Sequence, residues 1–404
     1  MILVAVFISV VFFYSLIAQR LERTVVTGPM IFTTAGLIVI LLMPQLGELE
    51  VNRKAFLWLA ELGLVMTLFT DATSVNFKVL EDNKYLPIRL LSLGMLLTIL
   101  LGTVIAFALF RPLSIWEAGV LAAILAPTDA GLGQIIVNSR QVPLLIRQSL
   151  NVEAGLNDGL SVPFMMFFIA LAVSGTEGAG TAMTRFIIEQ VGLGTAVGLL
   201  TGLIGGWFLG LAKRKKWSKG SFEQLGLISL PLFCVLASEP IGASMFIAAF
   251  VAGLAVQTGF SEAEKICVEF TEEWGQLLNL FVFFLFGLLI ARAWEQFSSL
   301  VILYAILSLT VIRMLPVAIA LTGTGLSKAT VLFMGWFGPR GLASIVLGLV
   351  YLEEEARLPG ESTIRLAVMA TVLLSIFAHG LTALPGIRFY SGRIAGPDET
   401  ASSN

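Results

Sequence analysis

Along the chain, apolar positions come in long unbroken runs, without the i, i+3, i+4 spacing of a surface helix or the alternation of a half-buried strand. A bilayer core takes roughly 20 apolar residues per crossing helix. Charged and Gly/Pro-rich breaks divide the sequence into thirteen such runs, near 1–18, 28–44, 55–72, 86–110, 115–137, 147–174, 186–211, 223–239, 242–258, 275–293, 297–321, 329–352 and 364–384. The pattern predicts an all-α polytopic membrane protein, a single transmembrane domain over 1–404 with little chain left for loops. The opening run, "MILVAVFISVVFFYSLIAQRLER", lacks a basic segment ahead of it and carries its positive charges behind it, so it reads as a first helix and not as a secretory signal.

Composition supports this class and removes others. The chain is 57% hydrophobic and 13% charged, against about a quarter charged in soluble proteins. Its net charge of -2 argues against nucleic acid as a partner. Two distant cysteines, Cys234 inside the eighth run and Cys267 in a loop, make no disulfide framework. With one histidine, His379, a transition-metal site is not expected, and His379 reads as a packing or polar-network residue. No nucleophile and base pair stands out, so an enzyme is not expected, nor a cofactor.

Orientation follows from the basic residues between runs. With the N-terminus outside, the inner segments hold the larger set, led by Lys213, Arg214, Lys215, Lys216 and Lys219, with Arg20, Arg23, Lys78, Lys84, Arg89, Arg140, Arg147, Lys265, Lys328, Arg388 and Arg393. The outer segments hold Arg53, Lys54, Arg111, Arg185, Arg292, Arg357 and Arg365. The positive-inside rule then places the N-terminus outside and the C-terminus inside the cytoplasmic membrane.

Transporters are often built from two inverted repeats whose broken helices meet at the midplane. Here residues 1–185 and 223–384 form candidate halves, 186–211 a linker helix and 385–404 a short cytoplasmic tail. The fifth run of each half is interrupted, by "APTDAGLG" around Pro127 and by "GWFGPRGLAS" around Pro339. Each break carries a charge, Asp129 in one and Arg340 in the other.

The sixth run is where the charge is hardest to explain. Glu153 and Asn157 lie four residues apart on one helix face, Asp158 is one step round, and Ser161 follows Asp158 by three. A carboxylate at membrane depth is costly and marks an ion path, a proton relay or an ion pair. If Asp158 holds either a proton or a monovalent cation, the two compete for one negative site. Unwinding around Pro127 frees carbonyls, that of Thr128 in particular, to replace part of a cation's hydration shell, while Asp129 offsets a facing half-helix N-terminus. Arg340 and Arg313 keep their charge and need anionic partners. A Glu153–Arg340 pair would leave Asp158 uncompensated, with Arg313 facing the breaks or another acid. Asp71, in "TLFTDATSVNF", reads as a solvated helix-end charge, and Glu61 lines either an outer funnel or an interface.

Taken together, "NVEAGLNDG", "APTDA", "GASMFIAAFVAGL" and "GWFGPRGLASIVL" resemble sodium/proton antiporters of the NhaP and NHE kind, over nearly the whole chain. The resemblance implies the thirteen-helix NhaA/NhaP-like antiporter fold and a homodimer. It makes Asp158 the ion and proton carrier, Asn157 its structural neighbour, Glu153 the partner of Arg340, Thr128 with Asp129 the broken-helix contribution, and Arg313 the second buried arginine. The Asn-Asp pair implies the electroneutral branch. The family commonly has Ser and Pro where this chain has Ala154 and Ala130. The expected function is one-for-one exchange of a monovalent cation, sodium first, then lithium or potassium, for a proton by alternating access. The alternatives are a sodium-coupled organic-anion symporter, which needs a larger polar cavity near the breaks, and a cation channel.

Overall fold

The computed structural model describes residues 2–21, 24–43, 53–73, 75, 85–174, 188–263, 272–353 and 358–394. The regular elements among the described residues are all helical, as expected where lipid offers no partner for a backbone N–H or C=O. In chain order they are α1 (Ile2–Leu21), α2 (Gly28–Leu42), α3 (Arg53–Thr73), α4 (Tyr85–Leu109), α5 (Ile115–Ile124), α6 (Ala130–Val137), α7 (Leu144–Ser174) and α8 (Ile188–Arg214). There follow α9 (Ser221–Ser238), α10 (Met245–Gly259), α11 (Glu272–Ala293), α12 (Ser299–Ala320), α13 (Lys328–Trp336), α14 (Leu342–Glu353) and α15 (Glu361–Ile394). Nine of the described helices, α1, α3, α4, α7, α8, α9, α11, α12 and α15, are long and apolar enough to cross a membrane.

Two layers organise these helices. In one, α8 lies against α10 through Gly198, Gly202 and Gly206, where an added Cβ would meet the backbone oxygens of Ala248, Ala252 and Val256 at 2.5 Å. Small residues at four-residue spacing let two helix backbones touch where lipid supplies no hydrophobic drive. The same layer pairs α2 with α11 and α10 with α3. The second layer holds α4 to α7 and α12 to α15, and the layers meet where α14 lies on α3 and α10 on α7.

The predicted runs 115–137 and 329–352 are each two short helices. Pro127 has no N–H and pushes Ala126 out of the helical region, so α5 ends ahead of it; Pro339 follows the end of α13 in the same way. The start of α5 is set by a capping box: the Ser114 N–H donates to Glu117 Oε2 at 2.8 Å and the Glu117 N–H to Ser114 Oγ at 3.2 Å. At the far end the reading needs correction. The last helix passes through Pro385 and reaches Ile394, where a tail from 385 was expected. Residues 395–404, Cys267 and the loop cations Arg23, Lys78, Lys84, Arg185, Lys265 and Arg357 lie outside the described residues.

Candidate functional site

The two breaks cross and complete each other. The Asp129 N–H donates to the carbonyl of Pro339 at 2.8 Å. The Asp129 carboxylate caps both half-helices that begin here: Oδ1 accepts from Leu132 N–H at 2.8 Å in α6, and Oδ2 accepts from Leu342 N–H in α14. One negative charge therefore serves two positive helix ends. Gly341 makes the approach possible, because a Cβ there would collide with the Asp129 carboxylate. In return, Arg340 Nη1 donates to the carbonyls of Ala126 and Pro127 at 3.0 and 2.9 Å, satisfying the orphan acceptors just beyond the C-terminus of α5.

Behind the second break, a polar chain fixes the backbone. The Arg340 N–H donates to Ser375 Oγ at 2.7 Å, and Ser375 Oγ lies 3.0 Å from His379 Nδ1. His379 Nε2 faces the carbonyl of Trp336 at 2.9 Å, which assigns the ring proton to Nε2 and leaves Nδ1 to accept from the Ser375 hydroxyl. His379 thus links the end of α13 to the break that follows it.

Helix α7 passes beside the crossing and carries the wedge. Asn157 is locked onto the first break: its Oδ1 accepts from Thr128 N–H at 3.2 Å, and its Nδ2 donates to Thr128 Oγ1 at 2.9 Å. Glu153 meets Arg313 of α12 in a two-pronged pair, Nη1 to Oε1 at 2.5 Å and Nη2 to Oε2 at 3.0 Å, both side chains being 3% exposed. The Arg313 guanidinium lies where a Cβ on Gly338 would be, so that glycine admits it to the break. Asp158 differs from all of these. It is 4% exposed, and its Oδ1 meets no hydrogen-bond partner. Arg340 lies within electrostatic reach of it, but no hydrogen bond joins the two.

Asp158 and Asp129 open onto a cavity of about 570 Å³ whose wall also includes Thr67, Thr70 and Asp71 of α3 and Asn279 of α11. Asn279 Nδ2 donates to Thr67 Oγ1 at 2.8 Å, joining the two helices of that wall. Among the described residues, no cluster of His, Cys, Asp and Glu has the arrangement of a metal site. The site offers oxygen atoms in a pocket lined by carboxylates, which suits a hard cation.

Most of the expected residues converge here, with three corrections. The Glu153–Arg340 pair is not formed. Arg340 goes to the bare carbonyls at the end of α5, where a helix C-terminus attracts a cation, and Arg313 on the neighbouring helix takes both oxygens of Glu153. Ser161 does not extend the wedge, because its hydroxyl donates to the carbonyls of Asn157 and Asp158 on its own helix, at 2.8 and 2.9 Å. Asp71 is half-buried in the cavity wall and not a solvated helix end. The sequence had signalled it only by placing an acid late in an apolar run. Asn279 and Thr67 carried no signal at all, since neither type is unusual in a membrane helix.

A sodium/proton antiporter of Schizosaccharomyces pombe is 27% identical over 269 residues, covering 61% of this chain and 56% of that protein. The K(+)/H(+) antiporter NhaP2 of Shewanella baltica is 26% identical over 279 residues, covering 68% of this chain and 47% of that protein. This chain thus spans about half the length of these relatives. Among solved structures, the sodium proton antiporter MjNhaP1 of Methanocaldococcus jannaschii superposes with a TM-score of 0.78 over 98% of both chains at 18% identity, a likeness of fold. Residues 4–386 match the profile of the transmembrane sodium/hydrogen exchangers, and the chain belongs to that family of membrane transporters.

Proposed function

We propose that this chain exchanges a monovalent cation for a proton across the membrane, with Asp158 holding one or the other in turn. The observation that carries the reading is the contrast among the buried carboxylates: both oxygens of Asp129 and both of Glu153 accept hydrogen bonds, whereas an oxygen of Asp158 has no partner and Asp158 lies on the cavity. A proton neutralises that carboxylate and a cation compensates it, so either relieves the cost of a lone buried charge and neither needs the other. The Asp129 carboxylate lines the same cavity as Asp158. Asn157 cannot take up a second proton, which supports exchange of one cation for one proton. The relatives include a sodium/proton and a potassium/proton antiporter; we take sodium as the first substrate, with lithium and potassium tested beside it. Three carboxylates in the cavity wall oppose an organic anion, which disfavours the symporter reading.

With each broken pair counted as one passage, the helices make thirteen crossings. Two inverted repeats, 1–185 and 223–384, are supported by mirrored packing, α2 on α11 and α10 on α3. With the N-terminus outside the cytoplasmic membrane, α3 ends on the inner side, so the cavity at Thr67 and Asp71 is an inward-facing funnel. Alternating access then moves the layer containing the crossing against the layer of α3 and α11. The family resemblance also implies a homodimer.

The test is dissipation of a pH gradient in proteoliposomes on adding sodium, lithium or potassium, with and without a potential clamp. Cation-dependent flux indifferent to the clamp is expected. Flux without a counter-ion gradient, or flux that follows the potential, would overturn the reading.

A further inference from the structure

A second cavity, of about 760 Å³, lies at the opposite ends of the same helices. The first cavity is walled by the Thr67–Asp71 end of α3 and the N-terminal turns of α11; this one is walled by Lys54 and Phe56 at the start of α3 and by Arg292 at the end of α11. On α14, Leu342 borders the first and Ile345 the second, so about one apolar helical turn separates them. Their charge is opposite. Acids line the first, whereas Lys54, Arg292 and Arg365, from three different helices, converge on the second. Among the described residues, no carboxylate pairs with Lys54 or Arg365, and Nε of Arg365 has no hydrogen-bond partner. Tyr351 of α14 is 3% exposed, lines this cavity, and its hydroxyl also lacks a partner. The rest of the wall is apolar, Phe56 and Leu349 among it.

We propose that this cavity binds an amphiphilic anion, a carboxylate or phosphate monoester carried on an acyl chain. Guanidinium groups and a buried phenol are the donors that such a headgroup requires. The apolar wall is what an inorganic ion would leave unused. Because one wall belongs to α3 and α11 and the other to α14 and α15, a molecule seated there favours the present arrangement of the two layers, a population shift toward the state with Asp158 open to the other side. That consequence, inhibition of exchange, rests on the antiport reading; the binding itself does not.

The test is native mass spectrometry of the purified full chain with dodecyl phosphate, compared with dodecyl maltoside and with inorganic phosphate. One saturable dodecyl phosphate adduct per chain is expected, weakened about tenfold or more by Arg365→Gln and by a smaller factor by Tyr351→Phe. Asp158→Asn should leave it unchanged. Should Arg365→Gln fail to fold, Lys54→Gln, at an exposed helix end, and Tyr351→Phe carry the comparison. No saturable adduct, an adduct indifferent to all three substitutions, or inorganic phosphate binding as tightly as the amphiphile would overturn the proposal. In proteoliposomes, dodecyl phosphate should slow exchange by the native chain and not by Arg365→Gln. Binding without slowing would overturn the conformational consequence alone. Exchange surviving in Asp158→Asn would instead strike the antiport reading and leave the adduct intact.

Discussion

Asp129 and Asp158 border one cavity, and both are buried to within a few per cent of full enclosure. Their surroundings could hardly differ more. Asp129 accepts from two backbone N–H groups at the starts of two half-helices, so its charge is already compensated by the fold. Asp158 sits on an uninterrupted stretch of α7, whose N–H groups are taken up by the helix itself, and one of its oxygens has no donor. The difference teaches that burial alone does not leave a carboxylate uncompensated. What decides it is whether the backbone nearby has donors left to give, and broken helices supply them to Asp129 while leaving an oxygen of Asp158 without one.

The largest effect expected from breaking this contrast is at Asp158. Asp158→Asn should reduce exchange to the background of empty liposomes while thermal stability stays equal to or above that of the native chain, because a lone buried charge has been removed. Proteoliposome flux and melting of the same preparation check both halves. The proposed exchange has proton and cation compete for one group, so the apparent KM for the cation should rise as pH falls, with the maximal rate recovered at saturating cation. A KM that stays flat as the pH is lowered would mean that the two do not share Asp158.

Next comes the ion pair. Glu153→Gln strands the Arg313 guanidinium in a dry site and should cost about 3–5 kcal/mol of stability. A double-mutant cycle sharpens the assignment: Glu153→Gln should couple strongly to Arg313→Gln and weakly to Arg340→Gln. The reverse order would restore the Glu153–Arg340 pairing. Asp129→Asn is expected to be milder, about 2 kcal/mol, since an amide oxygen can cap one helix end but not both. Thermal unfolding in detergent measures each of these. The smallest effect is at His379, where His379→Gln loses the link from Trp336 to Ser375 at about 1 kcal/mol and should leave the cation KM unchanged.

Much of this molecule was legible before any coordinates. Apolar runs of membrane length allow only helices, and a proline flanked by glycine and charge in the fifth run of each half announced the breaks. Asp158 and Asn157 stood out too, because ionisable and amide groups at membrane depth need a reason; Thr128 was expected for its carbonyl, and the structure engages its N–H and hydroxyl with Asn157. Partnership was not legible. Glu153, Arg313 and Arg340 lie on three different helices, and a sequence says which charges must be compensated without saying which of two guanidiniums arrives. Nor did it show Asp71 as part of the cavity wall, since that depends on the depth at which α3 meets α7.

What the residues alone determined is the class of membrane-spanning helical protein, the positions of the two interruptions and the acid whose charge had no local answer. These follow from solvation, because a lipid core penalises each unsatisfied group wherever it sits in the fold. What the tertiary structure decided is the pairing of charges and the two cavities of opposite sign at the two ends of the layer boundary. Those depend on distances between helices far apart in the chain. Gly338 and Gly341 set such distances at the crossing, by letting a guanidinium and a carboxylate come as near to the opposing backbone as the chemistry demands.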